Sequence, residues 1–237
     1  MIYEDEKKAK DAQTDAFNTS ISDLMAGLLA IFVLVLCYFI LNFSQATAQL
    51  TQNDTKRAEI LLEIKDSMNK AGFDVIIDQE HGILRIPEGI LFDAGSAEIK
   101  PAGYQVIKKL GSVIFNVLSE EDFQGAVETI FIEGHTDDVP ISNSIFSSNW
   151  DLSTKRAINT WNTMQLAEPA INQLVNKNSQ KIFSCSGYAD TRPVNTAKDV
   201  ESRRQNRRID IRFSMSAPDA TDIKIVKFVK ERMKKND

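Results

Sequence analysis

Ile132–Pro140 reads IEGHTDDVP: an apolar strand end breaks at Gly134 into a polar loop carrying His135, Thr136, Asp137 and Asp138. The run TIFIEG that leads into it is short, continuous and apolar, as in a strand buried inside a sheet. Upstream, PAGYQVIKKLGSVIFNVL has proline at a first helical turn and Tyr104, Ile107, Leu110, Val113 and Ile114 at helical spacing, so it predicts a helix. Downstream, WDLSTKRAINTWNTMQL predicts a second helix and KIFSCSGY the next strand. FDVIID and ILRIP around QEHG predict a pair of short strands about a turn, and the alternation of RRIDIRFSM predicts a final strand. The order is strand pair, helix, strand, helix, strand, strand. It predicts an α/β sandwich over residues 73–216, a mixed sheet with helices packed on it.

A different kind of segment precedes this domain. SISDLMAGLLAIFVLVLCYFILNF (Ser20–Phe43) contains one charge, Asp23, and no Asp, Glu, Lys or Arg occurs from Leu24 to Asn53. As a helix, residues 21–43 would span about 34 Å, enough to cross a bilayer core. A cleaved signal peptide is the competing reading, with Ala46-Thr47-Ala48 as its cleavage site, but the apolar run exceeds the roughly 7–15 residues of such a segment. Lys7, Lys8 and Lys10 precede the span and the first basic residue after it is Lys56. That asymmetry makes residues 1–20 a cytoplasmic tail and sends the domain across the membrane.

Asp23 stands at the mouth of this span, where a carboxylate is costly unless it faces protein or water. It can simply be interfacial. Helical steps from it, however, reach Ala26, Gly27 and Ala30, small residues of the kind that let membrane helices pack closely. A carboxylate facing a partner helix is a candidate ion carrier, and the lack of further polar residues in the span favours protons over sodium. Residues 44–72 begin polar and then place Ile60, Leu61, Ile64 and Met68 at helical steps, predicting a juxtamembrane linker helix that acts as a spacer or a dimerising coil. Residues 217–237 predict an amphipathic helix, with Ile225, Val226, Val229 and Met233 opposite a lysine-rich face, packed on its own domain or on a membrane or partner.

Composition excludes several functions. A net charge of −5 offers no basic footprint for nucleic acid. Cys37 and Cys185 match neither a disulfide framework nor a zinc spacing and read as packing residues. Only His81 and His135 are present, without an H-E-x-x-H motif or a Gly-x-Ser-x-Gly elbow, so neither His135 nor Ser153 nor Ser186 has the companions a hydrolase needs. No metal or cofactor is expected, and His135 reads as a structural hydrogen-bonding residue at a strand end.

Four inter-element segments carry a further signal: IEGHTDDVP, SSNWDLSTKRA, GYADTRPVN and RRQNRRIDI. Their order and spacing resemble the OmpA-like peptidoglycan-binding domain, and HTDDVP, NWDLS..RA and GY.DTRP resemble its MotB branch. The resemblance implies that Asp137 and Arg156 hold the diaminopimelate of a peptidoglycan stem peptide, with Thr136, Asn149, Leu152, Asn206 and Arg207 around the same pocket. The chemistry is apt, since an acid pairs an ammonium and an arginine forks a carboxylate. Backbone N–H groups at the helix start near Asp151 would add carboxylate donors. The alternative is that Asp137 and Arg156 form an ion pair that only braces the loops.

A single membrane helix with such a domain resembles a stator B-subunit of the bacterial inner membrane, with the C-terminal domain periplasmic. The resemblance implies a homodimer surrounded by a pentamer of a MotA- or ZorA-like A-subunit, with proton flow past Asp23 driving rotation. The approach FNTSIS, the helix start ISDLMAGLLAIFVLVL and the short span before the domain are most similar to ZorB of the Zorya antiphage defence system. A flagellar MotB-type stator subunit and a passive wall tether remain as alternatives.

Overall fold

The computed structural model describes residues 2–217, so the amphipathic helix expected over 217–237 lies outside the described residues apart from Ala217. The chain divides into two compact units between Thr51 and Gln52. One long helix, α1 (Ile2–Lys70), contributes to both.

In the first unit, Phe17–Ser44 reaches a mean hydropathy of 2.9 and is long and apolar enough to cross a membrane. Its large apolar side chains, among them Leu24, Leu28, Leu34 and Phe39, are exposed. Hydrocarbon would remove that surface from water.

The second unit is built on a five-stranded sheet with the spatial order β1-β2-β5-β3-β4. The strands are β1 (Ile76–Asp78), β2 (Ile83–Pro87), β3 (Val127–His135), β4 (Phe183–Gly187) and β5 (Arg208–Met215). Only β3 and β4 pair in parallel; the other pairs are antiparallel, which makes the sheet mixed. Of two long helices, α3 (Pro101–Ser119) buries an apolar stripe in the core, while α4 (Asn149–Ala167) buries Ala157 and Met164 there together with the polar Ser153, Arg156 and Thr160. Two short helices, α2 (Glu88–Leu91) and α5 (Val200–Asn206), end loops at one edge.

Side chains alternate across each strand, so Leu84, Ile86, Ile130, Ile132, Ile209 and Ile211 enter one core with Ile107, Leu110 and Ile114 of α3. Several of the intervening positions are charged and paired. Arg85 sits opposite Asp210 in the register and donates to it at 2.9 Å, Arg208 does so at 2.9 Å, and Arg212 pairs with Glu133.

One expectation is redrawn. Residues 44–72 read as a linker, yet Ile60, Leu61, Ile64 and Met68 have no exposed surface and belong to the same core as the sheet. An apolar stripe at helical spacing needs an apolar surface, and here the domain supplies it. Three polar contacts fix these turns: Asn53 Nδ2 donates to the Ser216 carbonyl (3.1 Å), Lys56 Nζ to that of Asp122 (3.1 Å) and Arg57 to that of Glu80 (3.2 Å). The compact unit therefore starts at Gln52, well before the Phe73 at which the strand pattern begins.

Two glycines set the height of α4 above the sheet. A Cβ on Gly134 would lie 2.0 Å from the Ser153 carbonyl oxygen, and one on Gly187 would lie 2.2 Å from Thr154 Oγ1. Their bare backbones let the first turns of α4 rest on the ends of β3 and β4. That contact fixes where Arg156 emerges.

Candidate functional site

The C-terminal ends of β2 and β3 and the start of β5 lie at one edge of the sheet, because Pro87 and His135 both pair with Arg208. The loops leaving these ends, together with the start of α4, enclose a cleft of about 850 Å³. Thr136, Asp137, Asn149, Leu152, Arg156 and Arg207 all line it.

Arg156 is only 2 % exposed. Its Nε donates to the Ser96 carbonyl (2.7 Å), its Nη2 to Glu88 Oε1 (2.7 Å), and its guanidinium lies 5.1 Å from the centre of the Phe92 ring. Glu88 is the first residue of α2, immediately after β2, and is itself buried. Arg207 reaches it from the other side: Nε is 3.1 Å from Glu88 Oε2 and Nη1 donates to Asp137 Oδ2 at 2.6 Å. The result is a relay of alternating charge, Arg156–Glu88–Arg207–Asp137, with no net charge.

The Asp137 loop is held by its own backbone. Asp137 Oδ1 accepts from Val139 N (3.1 Å), an Asx turn. Asn149 donates to the carbonyls of Asp137 (3.2 Å) and Val139 (3.0 Å) and accepts from Ile141 N (3.1 Å), tying the loop to the first residue of α4. Thr136 Oγ1 donates to the Asp137 carbonyl, and its N–H donates to that of Ala189. Leu152 packs with Ala97, Phe146 and Ile141 in a small apolar cluster behind the polar groups.

One expected residue differs. Asn206 is not in the cleft wall; its side chain accepts from Val194 N and Asn195 N and donates to the Asn195 carbonyl, bracing the GYADTRPVN loop. An amide engaged at both its oxygen and its nitrogen by one loop acts as a brace for that loop. At the helix start near Asp151, the Asp151 N–H donates to Ser148 Oγ, and the Asp151 carboxylate accepts from Ser147 N just before the helix. Ser148 thus caps one of the first-turn donors.

Burial pushes the Glu88 carboxyl above its ordinary range, although Arg156 and Arg207 oppose this. Burial likewise lowers Arg156 from its usual value, with Glu88 opposing. Glu88 is the residue that the sequence reading missed. Its signal was an acid directly after a strand end, at the same sheet edge as the other loops, but that edge is visible only once the strand order is known.

His135 is buried and stacks on Tyr188, with ring centroids 5.5 Å apart. Its Nε2 lies 3.5 Å from Asp210 Oδ2, and neither ring nitrogen makes a hydrogen bond. The expected hydrogen-bonding role is therefore replaced by packing. Burial, aided by Arg208, lowers its pKa to about 4, so the ring is neutral near pH 7. Ser153 Oγ donates to the Trp150 carbonyl and accepts from Ala189 N, which fixes α4 to the loop after β4.

With this geometry in hand, residues 91–207 match the OmpA family. Motility protein B of Bacillus subtilis is 31 % identical over 148 residues, covering 62 % of this chain and 51 % of that protein. Motility protein B of Helicobacter pylori is 26 % identical over 178 residues, covering 74 % and 63 % respectively. The chain thus spans about half to just under two thirds of the length of these relatives. The crystal structure of a MotB-like protein from Desulfovibrio vulgaris shares the fold, with a TM-score of 0.54 at 20 % identity over 71 % of this chain and 96 % of that one. Over its matched part the chain is thus similar to the OmpA family and to motility B proteins, and this part follows an N-terminal apolar helix.

Proposed function

We propose that this chain is the wall-anchored B-type subunit of an ion-driven stator, and that its cleft holds the diaminopimelate of a peptidoglycan stem peptide. The observation that carries the reading is the cleft itself. It presents Asp137, able to pair an ammonium, on a fixed loop and Arg156, able to fork a carboxylate, from α4, at one sheet edge. Each Asp137 oxygen holds one protein donor and keeps a second acceptor position, and Arg156 Nη1 is left for a ligand.

In this reading Phe17–Ser44 crosses the inner membrane once, with the N-terminus cytoplasmic and the domain periplasmic. Two copies sit inside a pentamer of MotA-like A-subunits. Asp23 carries protons, and each charge crossing releases about 2.3 kcal/mol per 100 mV. Protonation removes the charge that favours one set of contacts with the A-subunit helices, so the ring steps between two states. The wall-bound domain supplies the fixed reference.

The motility proteins among its relatives favour a flagellar-type stator. A Zorya-type defence motor is the second reading, favoured by the helix start ISDLMAG and by the short stretch, residues 45–51, between the apolar span and the compact unit. Neighbouring flagellar genes would decide for the first, and nuclease or helicase genes beside a long A-subunit for the second. A passive tether is separated from both by Asp23→Asn at equal expression. A stator predicts intact assembly and wall attachment with proton leakage and biological activity both lost. Full activity in the variant would reject ion coupling through Asp23.

A further inference from the structure

Glu88 has no counterpart among the groups needed to grip an ammonium and a carboxylate, yet it is a buried carboxylate at the centre of the relay. Its surroundings explain what it does to the site. Arg156 and Arg207 both approach it, at 2.7 and 3.1 Å, and the Arg207 guanidinium disfavours the charge of Arg156. Without Glu88 the two cations would face one cleft with only Asp137 to offset them. The wall would then carry a net positive charge, and the buried Arg156 beside the partly exposed Arg207 would be relieved by drawing in an anion. With Glu88 present the four charges cancel, Arg204 at the cleft wall is matched by Glu201 at 2.7 Å, and a plain carboxylate gains nothing from the field as a whole. A head group bearing both an ammonium and a carboxylate suits that balance, because each end finds a partner and no charge is left over.

We propose that Glu88 is a positioning and specificity residue: it holds Arg156 and Arg207 in register and keeps the cleft neutral, so that the site accepts a zwitterionic amino-acid head and discriminates against a simple carboxylate. The inference rests on the wall-binding reading above. It assigns Glu88 no direct contact with the ligand; the residue acts through the two arginines.

meso-Diaminopimelate and pimelate share one dicarboxylate skeleton and differ only in the amino groups, so their ratio of affinities reads the selectivity directly. Calorimetric titration of the full chain in detergent should show wild type preferring diaminopimelate by a factor on the order of ten, about 1.4 kcal/mol. Glu88→Gln keeps the shape and removes the charge; pimelate should bind more tightly and the preference should fall towards one. The double variant Glu88→Gln/Arg207→Gln removes one charge of each sign, and the preference should return even if overall affinity is lower. A role in packing alone predicts that the double variant is worse than either single one. Should Glu88→Gln fail to fold, the double variant should fold, because the unbalanced cation is gone; a double variant that also fails to fold overturns the proposal. An unchanged preference in Glu88→Gln refutes the role of Glu88 and leaves wall binding standing. Wild type that binds neither compound refutes the wall-binding reading, and this inference with it.

Discussion

Asp137 and Arg156 are joined through two intermediates: Arg207 donates to Asp137 at 2.6 Å and lies 3.1 Å from Glu88, which accepts from Arg156 at 2.7 Å. The pair expected from the sequence is therefore the two ends of a chain of charges. Removing an inner or an outer member should have different effects on stability.

Arg156→Ala strips a buried carboxylate of its shortest partner and opens space beside Phe92, a change that typically costs about 3–5 kcal/mol. Arg207 is about a third exposed, so water can take its place, and Arg207→Ala should cost roughly 1–2 kcal/mol. Denaturant unfolding of the two variants should rank them in that order. Equal losses would mean that the relay is not graded by burial.

A second prediction concerns the turns of α1 that belong to the domain. Ile64 is fully buried in the main core, so Ile64→Ala should destabilise the soluble unit by about 2–5 kcal/mol. A fragment beginning at Phe73 should lack a cooperative thermal transition, whereas one beginning at Gln52 should have one. Equal melting of the two fragments would return these turns to the role of a spacer.

This boundary shows what the sequence could and could not convey. The alternation of RRIDIRFSM and the helical spacing of PAGYQVIKKLGSVIFNVL are local patterns, and both elements formed where they were expected. The stripe Ile60, Leu61, Ile64 and Met68 was equally visible, but a stripe does not name the surface it covers, and a coil partner would have looked the same. The site divides in the same way. Asp137, Arg156 and Arg207 stand in recognisable segments and line one cleft. Glu88 is far from them in sequence and meets them only because β2 and β5 are neighbours. Asn206 was misplaced because a loop-facing amide and a cleft-facing one have the same sequence signature.

The buried neutral histidine gives a pH prediction. An unfolded chain takes up a proton at His135 near pH 6.5, while the fold refuses it until about pH 4. The unfolded state therefore binds more protons across that window, and stability must fall as pH drops through it. The full effect of this one group is about 3 kcal/mol, reached near pH 4 and absent above pH 7. His135→Gln cannot titrate, so its stability should fall less over the same window. Parallel curves for the variant and wild type would place the acid sensitivity elsewhere.

The claim on which the account depends is that this cleft grips the cell wall. The direct measurement is sedimentation of the fragment from Gln52 onward with purified, diaminopimelate-containing sacculi, comparing wild type with Asp137→Ala and Arg156→Ala after circular dichroism has established that each is folded. The account predicts that wild type sediments with the sacculi and that both folded variants remain in the supernatant. Wild-type protein that stays in solution, or variants that sediment as well as wild type does, would contradict it.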